Sequence, residues 1–237
     1  MKIDKKDIVI IIPSYNEASR IGETIANIYK AGYDEIILVD DGSSDGTEAV
    51  IREKFPDFRH FLRHCINRWY GAALETGFEY VRRNRAKYNW KYCVTFDADG
   101  QLAITNLTRF IHAFEQDPTL HIVMWSRFLE DSHANIPFLR KMILTGGKIF
   151  TRMISDIDLT DTHNGFRMIR TEVLDMIRTT MDGMEFSSEL IDIISDKKLH
   201  WKEVPIDVTY DEYSLSKGQR YGWAFRIATR MIWRKFF

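Results

Sequence analysis

Apolar residues dominate three stretches of strand length: Ile8 to Ile12, Glu35 to Val39 and Tyr92 to Phe96. A strand with one wet face alternates polar and apolar side chains, so nearly unbroken runs predict strands covered on both faces, as in a parallel sheet. Helical periodicity fills the intervals at Ser19 to Lys30, Asp45 to Lys54, Gly71 to Arg83 and Thr105 to Gln116. This βαβα order predicts an α/β fold with an open, mostly parallel sheet flanked by helices. The second half is less regular. It predicts strands at Ile122 to Trp125, Phe166 to Ile169 and Trp201 to Val208, and helices at Pro137 to Ile154 and Glu185 to Asp196. No internal repeat, low-complexity tract or linker divides the chain, which predicts one domain with a regular sheet half and a less regular second half.

Composition narrows the possible partners. The 237 residues are 45% hydrophobic and 28% charged, with a formal net charge of -1. That balance gives no electrostatic case for nucleic acid, whose partners are usually strongly basic. Cys65 and Cys93 both fall where a strand or its edge is predicted, so they read as buried, inert thiols rather than a disulfide framework. The first apolar run is short and Pro13 follows at once, which argues against a secretory segment. No apolar run approaches the roughly 18 residues needed to cross a bilayer. The expectation is a soluble or peripheral, cytoplasmic protein.

Ligands of open α/β sheets bind beyond the carboxyl ends of the strands. The residues there are polar: PSYNE (Pro13 to Glu17), DDGSSDG (Asp40 to Gly46) and DADGQ (Asp97 to Gln101). Asp97 and Asp99, one residue apart at a strand end, can aim at one point, and oxygen donors of that kind suit Mg²⁺ or Mn²⁺. The plainer alternative is a turn in which either aspartate caps the next helix. Asp40 and Asp41 could accept hydrogen bonds from a base N–H or ribose hydroxyls, or could simply build the turn at Asp41-Gly42. Tyr15 could pack on a base.

Together PSYNE, VDDGSSDGT, FDADGQ, DTHNGFR and KEVPIDVTY, in this order, resemble the family 2 glycosyltransferases with a GT-A fold. The likeness runs from about Ile8 to Lys217 and is nearest to the dolichol-phosphate mannosyltransferases and their bacterial polyprenyl-phosphate relatives. DTHNGFR, EFSSEL (Glu185 to Leu190), the Glu203 to Pro205 turn and YSLSKGQ (Tyr213 to Gln219) point to that group. The resemblance implies a Rossmann-like nucleotide-binding half plus an acceptor half. It places Pro13, Tyr15, Glu17, Asp40 and Asp41 on the nucleoside, Asp97 near the ribose, and the metal on Asp99 and Gln101. Arg127 becomes a phosphate-facing cation, with Arg167 and Lys217 near donor or acceptor phosphates. For each arginine an ordinary ion pair is the alternative. Relatives carry an N-x-G-x-G turn where this chain reads NRWYGAA, with Trp69 at the first glycine. Glycine permits positive φ there and tryptophan does so at a cost, which predicts altered loop geometry or donor preference.

The acceptor follows from proton chemistry. A sugar hydroxyl needs a general base before it attacks, whereas a phosphomonoester is largely ionised at neutral pH. Arg127, Arg140, Arg167 and Lys217 are the candidate cations for a polyprenyl (undecaprenyl or dolichyl) phosphate. The expected reaction is inverting transfer from a nucleotide-diphosphate sugar. One alternative is transfer to a sugar hydroxyl with Glu185 or Glu189 as base, though two glutamates four apart on one helical face also suit a structural pair. A second is a non-catalytic, membrane-associated nucleotide-sugar-binding subunit, against which the complete DADGQ argues. Residues 1–217 are expected to form the transferase domain. The tail 218–237 alternates arginines with Trp223, Ile227 and Met231 as an amphipathic helix suited to an anionic membrane surface, unless it docks on the protein's own core. Membrane contact is expected through that tail, through the helix Pro137 to Ile154, or through a separate small membrane protein.

Overall fold

The computed structural model describes residues 2–100, 102–129, 132, 157–161 and 165–206. The predicted helix from Pro137, the strand beyond Ile206, Gln101, Arg140, Lys217 and the tail lie outside the described residues. One sheet holds seven strands, β1 (Ile8–Ser14), β2 (Ile36–Asp40), β3 (His60–Arg63), β4 (Tyr92–Thr95), β5 (Ile122–Ser126), β6 (Arg167–Arg170) and β7 (Trp201–Pro205), in the order β3-β2-β1-β4-β6-β5-β7. All neighbours pair in parallel except β6, which runs antiparallel to both β4 and β5.

Burial explains the unbroken apolar runs. Ile8, Ile10 and Ile12 point into one core with Ile36 and Leu38, whereas Val9 and Ile11 point into another with Ile37 and Val39. The first core is roofed by α1 (Ile21–Lys30), α2 (Thr47–Lys54) and α4 (Leu107–Gln116), the second by α3 (Trp69–Tyr88) and α5 (Phe186–Asp196). In α1 the apolar contacts recur at Ile21, Ile25 and Ile28, the spacing that keeps one helical face on the sheet. Each fully buried isoleucine contributes roughly 1.5–3 kcal/mol, so two covered faces outweigh any intrinsic strand preference.

β3 is absent from the sequence pattern because HFLR is a short edge strand, fully buried only at His60. The third helix starts two residues before the predicted Gly71 and runs on to Tyr88, where Asn89 closes it in the left-handed conformation at φ 55°. Cys93 is buried, and burial pushes its thiol up to about 12. Cys65 departs from expectation: it is exposed, in the loop after β3, where no sheet face covers it.

At the amino edge of the sheet, His60 is enclosed by Tyr80, Tyr88 and Trp90. One ring nitrogen lies 3.1 Å from the Tyr80 hydroxyl and the other 3.3 Å from Glu35. Burial pushes the imidazole below its ordinary 6.5, with Arg59 and Lys87 acting in the same direction and Glu35 opposing. The fold therefore holds His60 neutral while the unfolded chain takes up a proton below about 6.5. Its contribution is complete above that pH and is lost as pH falls toward the depressed folded value. Melting temperature should decline from pH 7 to pH 5 more steeply in the wild type than in His60→Gln; equal slopes would contradict this.

Candidate active site

The carboxyl ends of β1, β2 and β4 meet the amino end of β6. Beyond β1 the chain turns at Asn16, with φ 54°, and is tied to the β2 loop. Asn16 N–H donates to Ser43 Oγ at 2.8 Å, Asn16 Oδ1 accepts from Ser44 N–H at 2.9 Å, and Glu17 N–H donates to Thr47 Oγ1 at 3.1 Å. Glu17 itself is buried and Tyr15 is exposed. Pro13 closes β1 opposite Val39, and Ser14 stands opposite Asp40.

Asp40 is fully buried; Oδ1 accepts from Ser43 N–H at 3.1 Å, and Oδ2 lies 3.4 Å from Arg63 Nε without hydrogen-bond geometry. Asp41 points to the other side of the strand. Its Oδ1 accepts from His64 Nδ1 at 2.6 Å and from Arg68 N–H at 2.9 Å. Gly42 has φ +75° and lies so close to Ile66 that an added Cβ would approach its carbonyl carbon to 2.8 Å. Glycine is thus required both for the turn and for the approach.

At the end of β4, Tyr70 donates its O–H to Asp97 Oδ1 at 3.1 Å. The other carboxylate oxygen rests on Gly165, where a Cβ would come within 2.3 Å. Gly165 is therefore part of the cradle through its missing side chain. Burial raises the Asp97 carboxyl above its ordinary range, opposed by the Tyr70 hydrogen bond and the charge of Arg167. Burial and the Asp97 charge raise the Tyr70 phenol well above 10, which keeps it a proton donor. Asp99, half-buried, follows one residue on, while Ala98 C=O accepts from Thr24 Oγ1 at 3.0 Å and fixes the loop to α1. Two carboxylates of this kind supply the oxygen donors that a hard divalent cation takes. Among the described residues no three acidic, His or Cys side chains gather as a metal cage.

Arg167 is 2% exposed and lies behind Asp97, over the Phe186 ring, donating from Nη2 to Ser187 Oγ at 3.0 Å. Among the described residues its Nη1 finds no hydrogen-bond partner. Burial lowers its pKa, and Tyr70, Asp97 and Asp161 act in its favour.

These features coincide with a match to the family model described as Glycosyl transferase family 2 over residues 9–178. The chain belongs to glycosyl transferase family 2. An uncharacterized protein of Methanocaldococcus jannaschii is 32% identical over 100% of this glycosyltransferase and 95% of its own length. The UDP-N-acetylglucosamine–dolichyl-phosphate N-acetylglucosaminyltransferase of Methanococcus voltae is 28% identical over 97% of this chain and 96% of its own. The polyprenol monophosphomannose synthase of Mycolicibacterium smegmatis is 29% identical over 88% and 80%. Glucosyl-3-phosphoglycerate synthase of Mycobacterium tuberculosis, solved with Mn²⁺, UDP and glucosyl-3-phosphoglycerate, superposes with a TM-score of 0.70 at 14% identity, over 95% of this chain and 77% of that one. The fold is that of the GT-A glycosyltransferases.

Two of the predicted cations are buried in this transferase. Arg127 clasps the Asp161 carboxylate through Nε and Nη2 at 2.7 Å each, which ties β5 to the start of the DTHNGFR segment. Glu203 of β7 holds the same segment by accepting from the Thr160 and Asp161 N–H groups at 2.9 and 3.0 Å. Arg167, at 2% exposure, has the Asp97 charge acting on it. Glu185 and Glu189 are both buried, and Glu189 accepts from Thr180 N–H, Thr180 Oγ1 and Met181 N–H at 2.8–2.9 Å. Trp69 adopts φ +75° and is 55% exposed, so tryptophan here sits in the positive-φ region that glycine enters more readily. Tyr70, His64 and Gly165 join the site unannounced by any strand-end motif.

Proposed function

We propose that this glycosyltransferase moves a sugar from a nucleotide-diphosphate donor to a polyprenyl phosphate, with inversion, assisted by Mg²⁺ or Mn²⁺. The observation that carries the phosphate acceptor is the state of the two glutamates that could have served as base. Glu185 is 1% exposed and Glu189 0%, and Glu189 is spent on the 180–181 backbone. A hydroxyl acceptor needs a base; an ionised phosphate does not. Relatives named for dolichyl-phosphate and polyprenol transfer support this choice.

In this reading Asp40 and Asp41, with Pro13, Tyr15 and Glu17, hold the nucleoside, and Asp97, fixed by Tyr70 and Gly165, holds the ribose. A divalent cation held by Asp99 and Gln101 supplies charge neutralisation on the diphosphate. An acceptor phosphate oxygen bonds to the anomeric carbon as the bond to the donor diphosphate breaks, its electron pair leaving with the nucleoside diphosphate. The protein contributes positioning and charge stabilisation. In the same reading Lys217 supplies positive charge for the phosphates, and the enzyme works at the inner face of the membrane, by its own tail or beside a small membrane protein. No described helix is long and apolar enough to cross a bilayer.

The test is transfer of radiolabel from a panel of nucleotide sugars to polyprenyl phosphate, following label into the organic phase. Label should enter lipid in an acid-labile form with Mg²⁺ or Mn²⁺ and fall to background in EDTA. Donor consumption that leaves the lipid unlabelled would overturn the phosphate acceptor.

A further inference from the structure

The Asp41 carboxylate is unequally held. Both hydrogen bonds, from His64 Nδ1 at 2.6 Å and Arg68 N–H at 2.9 Å, end on Oδ1. Among the described residues nothing donates to Oδ2, and it is not sealed from solvent. A carboxylate only accepts, so Nδ1 must carry hydrogen in that contact. The imidazole is in turn held from behind, Nε2 lying 2.9 Å from Thr76 Oγ1, a hydroxyl that also lies 2.9 Å from the Ala72 carbonyl. Ala72 N–H donates to Asp182 C=O at 3.1 Å, and a Cβ on neighbouring Gly71 would meet Met181 O at 2.2 Å, so the first turn of α3 packs closely on the 181–182 segment. The side chains of His64 and Asp41 are only 11% and 4% exposed.

We infer that His64 is a positioning residue that turns Asp41 so that a single oxygen, Oδ2, is offered as hydrogen-bond acceptor to a ring N–H of the donor's base. This rests on the proposed donor reading and adds a selection rule. A base with a ring N–H at its pairing edge, uracil or guanine, satisfies Oδ2; cytosine presents a lone pair there and leaves two acceptors opposed. A site built to bond an N–H rejects the analogue lacking it because its own polar atom is left unpaired.

The test separates the two ring nitrogens. In His64→Asn the side-chain amide reaches the place of Nδ1 and can still donate to Asp41. In His64→Gln it reaches the place of Nε2, keeping Thr76 and losing Asp41. Titration calorimetry of UDP, GDP, CDP and ADP with Mg²⁺ on the full chain should show wild type preferring UDP or GDP over CDP. His64→Asn should stay within about threefold of wild type. His64→Gln should bind the preferred nucleotide about tenfold more weakly and discriminate less against CDP, the loss of one well-placed hydrogen bond to a charged group. It should raise donor KM with kcat at saturation little changed, a split that a loss of folded protein would not produce. If both variants bind like wild type, or both lose equally, the positioning role is overturned while the donor reading stands. A wild type that binds none of the four overturns the donor reading, and the inference with it.

Discussion

Asp99→Asn should lower the rate of lipid labelling by about 10³-fold, the scale of losing a main stabiliser of transition-state charge, while leaving the melting temperature within a degree or so. Asparagine keeps the shape and one oxygen but removes the charge, and the half-buried position gives the fold little reason to respond. Initial rates of label transfer and a thermal melt on the same preparation check both halves. A variant turning over near the wild-type rate would remove Asp99 from the metal assignment.

Arg82→Met should produce the largest loss of stability. The Arg82 side chain is 4% exposed on α3 and uses its whole fork: Nε donates to Leu174 C=O at 2.9 Å, Nη1 to Glu79 at 2.7 Å, and Nη2 to Glu75 at 2.6 Å and Ile177 C=O at 2.8 Å. Glu75 also accepts from Thr179 N–H at 3.1 Å, so one cation fastens the 174–179 segment to the helix. Methionine fills the space but takes the donor from the Leu174 and Ile177 carbonyls and one donor from each of Glu75 and Glu79, which keep Thr179 and Arg83. Removing one partner of a buried pair costs 3–5 kcal/mol; the partly exposed glutamates argue for the lower end, about 3 kcal/mol, or roughly 6–12 °C in melting temperature. Arg83, 74% exposed beside the same Glu79, is the control, and Arg83→Met should shift melting by about a degree. Equal effects at both positions would show that burial is not what matters here.

The sheet was legible because apolar runs at Ile8, Ile36 and Tyr92 leave no wet face, a signal that survives without knowledge of the partners. β3 was not, since an edge strand with three of its four residues less than fully buried carries no such run. The strand-end carboxylates were legible for a related reason: polar residues directly after a buried strand are confined to the rim where ligands bind. What they do there depends on contacts across the chain. Asp97 meets Tyr70 and Gly165, Asp41 meets His64, and Arg127 meets Asp161, and these pairings follow from register and strand order rather than spacing. Arg127 and Asp161 could each be picked out as polar residues of interest; only the fold shows that they neutralise one another. Trp69 could be flagged as standing at a glycine position, and its φ of +75° is a conformation that costs a tryptophan more than a glycine.

The antiparallel insertion of β6 also fixes when the site can exist. β4 and β5 are consecutive in the chain, yet they do not pair; β6 enters between them, and with it come Gly165 and Arg167. β1 to β4 can pair as they emerge from the ribosome, joined by short helical crossovers, but the cradle for Asp97 must wait until some seventy residues further on have been made and threaded between two strands. A chain released early would carry every carboxylate of the nucleotide half, and Tyr70 with them, but would lack the Gly165 wall against which Asp97 rests.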